Sequence, residues 1–194
     1  MKIPVSVYVW ECQYGTPFSF GHASISLSDG TYISWWPTQK SSLISKAFGT
    51  TGTYIRSLEE DISLQNNRRP EVFKLTSCVD EDAIQRWWRD FRTVSSYSGI
   101  YKNCCYVVFH ALVSGTVFQL FPDDKRRYWK AISLWRQSHL KRFLNELRHR
   151  IEEHEERKLE RFICSICHII MVGLLGLVLS MILTFIIGLL YSLT

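Results

Sequence analysis

The stretch from Ile169 to Tyr191 runs for 23 residues without a charge. As a helix rising about 1.5 Å per residue it covers roughly 34 Å, enough to cross the hydrocarbon core of a bilayer with some tilt. The remaining length suits one domain and a connecting segment. Only Ser192-Leu193-Thr194 follow the run, so residues 163–194 are expected to form a single-pass C-terminal tail anchor.

Charge supports a membrane rather than a nucleic acid as the partner. Residues 125–161 hold 12 Lys/Arg against 6 Glu, whereas residues 1–124 hold 11 Lys/Arg against 12 Asp/Glu. The positive excess therefore gathers beside the anchor, where each basic residue is worth about 1 kcal/mol against anionic headgroups. Arg157, Lys158 and Arg161 flank the N-terminal side of the span and no basic residue follows it. The domain is thus expected to face the cytosol from an intracellular membrane. No signal-peptide pattern follows Met1, and six cysteines on that side are expected to be reduced.

The first third reads as strands. Val5, Val7 and Val9 alternate with Ser6, Tyr8 and Trp10, predicting a strand near residues 3–11. His22 to Leu27 and Thr31 to Trp36 flank Asp29-Gly30, a two-residue hairpin signal. Residues 38–70 show little periodicity and read as a long loop, either a lid or plain surface. Glu71 to Thr76 predicts another strand, and Asp80 caps a helix through Ile84, Trp87, Trp88 and Phe91. Pro122 closes the globular part, residues 1–122. From Lys125 to Phe162 the spacing of Ile132, Trp135, Leu140, Phe143, Leu147 and Ile151 predicts one long amphipathic helix, giving a juxtamembrane stalk over residues 123–162.

Chemistry concentrates at Asn103-Cys104-Cys105, which opens the apolar run Tyr106 to Leu112. Asn103 is a good N-cap, placing Cys104 at the first helical position. Unpaired amides and the partial positive charge of a helix start favour thiolate over thiol there. A thiolate needs an imidazole partner. His110 is six residues on, about 240° round the helix, and points away. His139, His149 and His154 belong to the stalk and His168 to the membrane boundary. His22, on a strand, remains.

The order His22, Asp29-Gly30, Ser34, Pro37, then Asn103-Cys104, with an apolar C-terminus, resembles the lecithin:retinol acyltransferase-like and phospholipase A/acyltransferase family. Those proteins are permuted relatives of the NlpC-type papain-like thiol enzymes. The resemblance covers roughly residues 5–115 in order and spacing. It implies an α+β, circularly permuted papain-like domain, with an antiparallel sheet plus helices. It also implies Cys104 as nucleophile and His22 as proton shuttle, acting through an acyl-enzyme without cofactor or metal. The family carries a second histidine where this chain has Ser34, which can accept a hydrogen bond but brings no charge. Either Ser34 suffices or another acceptor serves, and Asp123 and Asp124 are candidate orienting acids. Cys105, 100° round the helix, is expected to pack in the core.

Three further motifs stand apart. Cys164-Ser165-Ile166-Cys167-His168 matches a haem-attachment string, but a cytosolic juxtamembrane position favours Cys164 and Cys167 as palmitoylation sites. Gly176, Ser180, Thr184 and Gly188 recur every four residues, a small-residue face suited to self-association of the span. The leading expectation is a membrane-anchored cysteine acyltransferase or hydrolase acting on an acyl-bearing lipid or protein substrate. A papain-like peptidase keeps the same fold, and a non-catalytic membrane adaptor is the reading that Ser34 favours.

Overall fold

Strict alternation along β1 (Val5–Trp10) hands Val5, Val7 and Val9 to one side of a sheet, and all three are buried. The computed structural model describes residues 4–12, 21–38 and 42–192. After β1 come β2 (His22–Ser26), β3 (Tyr32–Pro37), α1 (Leu43–Phe48), β4 (Thr50–Ile55), α2 (Leu58–Leu64), β5 (Glu71–Leu75), α3 (Glu81–Val94) and β6 (Ser96–Tyr97). Then follow α4 (Cys104–Ser114), a 3-10 turn (Val117–Leu120), α5 (Asp123–Lys130) and α6 (Gln137–Ser192). The six strands form one sheet in the order β5-β1-β2-β3-β4-β6. Every neighbouring pair is antiparallel. The protein is therefore α+β.

Register decides which side chains meet. Val7 pairs with Ile25 and with Phe73, and Ile25 pairs with Ile33, so one face carries a continuous apolar row. Against that row lies α4, whose residues Cys105, Val107, Val108, Ala111 and Leu112 are all buried. The alternate residues of β2 and β3, among them His22, Ser24, Ser34 and Trp36, fall on the opposite face.

The β2–β3 hairpin turns through three residues rather than two. Gly30 N–H bonds the Leu27 carbonyl at 3.2 Å, Leu27 N–H bonds the Thr31 carbonyl at 2.9 Å, and Gly30 takes φ +90°. Glycine closes such a loop because it alone accepts this φ without a Cβ penalty.

Two sequence expectations are corrected. Residues 38–70 are not a loop: they carry α1, β4 and α2, elements of 6, 6 and 7 residues. Elements of two turns or less are too short to show a helical period. The second concerns residues 123–162, which do not form one helix outside a domain ending at Pro122. The chain leaves the helix between α5 and α6, where the Trp135 carbonyl accepts from Asn103 Nδ2 at 2.6 Å and the Trp135 ring stacks on Phe109 at 3.9 Å. Trp129, Trp135, Leu140, Phe143, Leu144 and Leu147 are buried in the same core as the sheet. The packed unit accordingly runs to Ile151, and a second unit begins at Glu152.

From Glu152 onward the chain is the remainder of α6. This is the one helix among the described residues long and apolar enough to cross a membrane, near the C-terminus. Cys164 and Cys167 are exposed on it. Gly176 and Ser180 are exposed as well. Thr184 and Gly188 lie further along the same helix, with their side-chain surroundings outside the described residues.

Candidate active site

Asn103 fixes the start of α4 three times over. Its Oδ1 accepts the Tyr106 N–H at 3.0 Å, and its Nδ2 donates to the carbonyls of Gly99 at 3.0 Å and Trp135 at 2.6 Å. Cys104 is therefore the first residue of the helix. The Ala23 backbone N–H at the start of β2 is among the groups that favour its thiolate.

His22 opens β2, and the residue before it explains its placement. Gly21 holds φ +68°, and a Cβ there would stand 2.6 Å from the Trp10 carbonyl oxygen. The His22 ring is buried between two indoles, with centroids 5.5 Å from Trp10 and 4.3 Å from Trp36. Its Nε2 meets Ser34 Oγ at 2.9 Å and Asp61 Oδ2 at 3.2 Å. That leaves Nδ1 as the ring nitrogen to serve Cys104.

Asp61, from α2, is the acid at this histidine. It is fully buried, yet four donors meet its two oxygens. Oδ1 accepts from Trp36 Nε1 at 2.8 Å and Ser34 Oγ at 3.0 Å. Oδ2 accepts from the Tyr32 hydroxyl at 2.7 Å and from His22. A buried carboxylate survives only when paired and hydrogen-bonded in this way.

The electrostatics follow. Burial alone would lower the pKa of His22, but the Cys104 charge and the bonds to Asp61 and Cys104 prevail, raising it to about 9. Cys104 is held well below the usual thiol range by a hydrogen bond from Cys105, against burial, and by the charge and hydrogen bond of His22 and the Ala23 amide. Burial would likewise raise Asp61, but His22, Tyr32 and Trp36 together bring it below its ordinary value. Cys105, donating to Cys104 and buried beside its charge, is pushed up and stays a thiol. These directions together favour thiolate, imidazolium and carboxylate over their neutral forms.

Of the residues singled out in the sequence, Cys104, His22 and Ser34 lie together, and Ser34 bridges His22 and Asp61. Asp123 and Asp124 do not serve as the acid: both head α5 at the surface, where Asp123 pairs with Arg126. His110 is also elsewhere, half-buried against Tyr106 at 4.1 Å, where burial lowers its pKa to about 4. Asp61 went unseen because it sits in what read as loop. The signal was Ser57-Leu58-Glu59-Glu60, a capping-box spacing; Ser57 Oγ accepts the Glu60 N–H at 3.2 Å and starts α2.

Fold and site together define a class: a buried cysteine–histidine–aspartate constellation, with the cysteine at a capped helix start and the histidine on an antiparallel sheet. No protein-family model matches the chain, and neither a curated protein nor a solved structure does.

Proposed function

We propose that this chain is a membrane-anchored cysteine acyltransferase or hydrolase with a permuted papain-like arrangement, resembling the lecithin:retinol acyltransferase-like enzymes. One observation carries the reading: Nε2 of His22 is held by Ser34 and Asp61 while the same ring is charge-paired with Cys104. The Cys104 thiolate attacks a carbonyl carbon, a C–S bond forms and the carbonyl electron pair moves to oxygen. The helix-start amides of Cys104 and Cys105, which the Asn103 cap does not take, would receive that oxyanion. Collapse expels the alcohol or amine, to which His22 gives its proton, and leaves an acyl thioester on Cys104. Neutral His22 then takes a proton from water or from an acceptor hydroxyl or amine, whose attack releases the acyl group and restores the thiolate.

Asp61 fixes the imidazole and balances its charge, the part Ser34 cannot fill. The adaptor reading rests on a missing ionisable group at position 34, and Asp61 supplies that charge. A helix able to span a bilayer favours lipid or lipidated substrates, with the domain on the cytosolic side. The test is intact-mass detection of an acyl adduct after incubating the full chain, in detergent micelles, with p-nitrophenyl octanoate. The adduct is expected in the wild type and in Cys105→Ala, and to vanish in Cys104→Ala and His22→Ala. An undiminished adduct in Cys104→Ala removes the assignment.

A further inference from the structure

We propose that the cleft between the end of β4 and α3 is a phosphate-binding site, with Arg56 and Arg92 as its ligands. The open cleft has a volume of about 350 Å³ and is lined by Thr31, Tyr32, Tyr54, Arg56, Trp88 and Arg92, within the size range of small-ligand sites. Its floor is rigid. Trp88 is buried, edge-on to Trp35 at 5.9 Å and to Tyr54 at 6.3 Å.

Both guanidiniums lie over the same ring: Arg56 stands 5.5 Å and Arg92 5.3 Å from the Tyr54 centroid. Arg56 Nη2 donates to the Tyr54 hydroxyl at 3.3 Å, which fixes that guanidinium at the ring and leaves its remaining N–H groups, with those of Arg92, for the paired oxygens of a phosphate. Arg89 lines the adjoining part of the cleft, and Arg86, Arg89 and Arg92 recur every three residues along α3.

Their partner in the cleft is an aromatic ring and its hydroxyl, not an acid. Among the described residues no carboxylate forms an ion pair with Arg56, Arg89 or Arg92. The acid on the adjoining hairpin, Asp29, is committed to Thr31 at 2.9 and 2.8 Å and to Gln85 at 2.7 Å. Two like charges over one ring repel each other until an anion sits between them. A phosphate monoester meets both, with more charge and more acceptor oxygens than a carboxylate. Tyr32 also joins the cleft to the catalytic constellation, since it lines the one and donates its hydroxyl to Asp61 in the other.

The same chemistry reaches a membrane-anchored protein as a lipid headgroup or as free phosphate. Isothermal titration of the full chain in dodecyl maltoside micelles, with dihexanoyl-phosphatidic acid and separately with inorganic phosphate, distinguishes the two. Saturable one-site binding is expected, weakened at least tenfold in the Arg56→Gln/Arg92→Gln double variant. Tighter binding of the lipid identifies a headgroup site, and equal binding a site for free phosphate. Both changed side chains are exposed, so an unchanged melting temperature shows that the variant folds. Failure of both ligands to saturate, or wild-type affinity in the double variant, overturns the proposal. So does loss of binding in Arg157→Gln/Lys158→Gln, which would move the effect to the charged stretch of α6 beyond Ile151. Cys104→Ala should bind as the wild type does, so this result stands or falls apart from the catalytic one.

Discussion

At the scale of single residues, one proton decides the chemistry of the Cys104–His22 pair. In an unfolded chain at neutral pH the Cys104 sulfur holds it; in the fold His22 does, with its pKa raised from 6.5 to about 9. Folding therefore transfers a proton within the pair rather than binding one, and stability should change little between pH 7 and 8 on its account. Activity should be less indifferent. Acyl transfer needs protonated His22, so its rate should fall as pH rises through about 9. Asp61→Asn removes a hydrogen bond and a charge that hold His22 up. The alkaline limb of the pH–rate profile should then move to lower pH, and the rate should drop on the order of 10²-fold. An unmoved limb would mean that Asp61 does not govern the imidazole. Ser34→Ala takes away a bond but no charge, so a smaller loss with little movement of the limb is expected.

At the scale of elements, two positions carry most of the local specification. Asn103 caps α4 and ties it to the segment before α6, so Asn103→Ala should cost about 1 kcal/mol for the cap alone. The two lost side-chain donors add to that, and a fall in the chemical denaturation midpoint measures the total. Gly52 on β4 faces Trp35 so closely that a Cβ would stand 1.8 Å from the indole. Gly52→Ala should destabilise by about 1–3 kcal/mol through overpacking, read by the same measurement. Strands β1, β2, β3 and β5 were legible because alternation is a period of two and shows within five residues, as it does for Val5, Val7 and Val9; β4, with Thr50, Thr51, Gly52 and Thr53, offers no apolar alternation, and β6 has two residues. The start of α4 was legible because Asn103 announces it. Neither α2 nor the α5–α6 break could be read from periodicity. The first has only 7 residues, and the second is imposed by the Asn103–Trp135 bond, a contact across 32 positions. Asp61 was hidden for the same reason as its helix.

At the scale of the molecule, the packed unit ends at Ile151, and residues 169–177 at the start of the apolar part of α6 have exposed side chains. Truncation after Arg161 should therefore leave the melting temperature of the packed unit within a degree or two while moving the protein from the membrane pellet to the supernatant. Loss of folding on that truncation would show that the span supports the core. The central claim is that sheet and helix together make Cys104 a thiolate at neutral pH, and the rate of its alkylation tests this most directly. The full chain in micelles is treated with iodoacetamide from pH 5 to 9, and labelling of Cys104 and Cys105 is followed separately by peptide mass. A free thiol slows about tenfold for each pH unit below its pKa of about 8.5. Cys104 should instead react nearly as fast at pH 6 as at pH 8, ahead of Cys105 throughout. A Cys104 rate that falls tenfold per unit below pH 8, or Cys105 labelled first, would contradict the account.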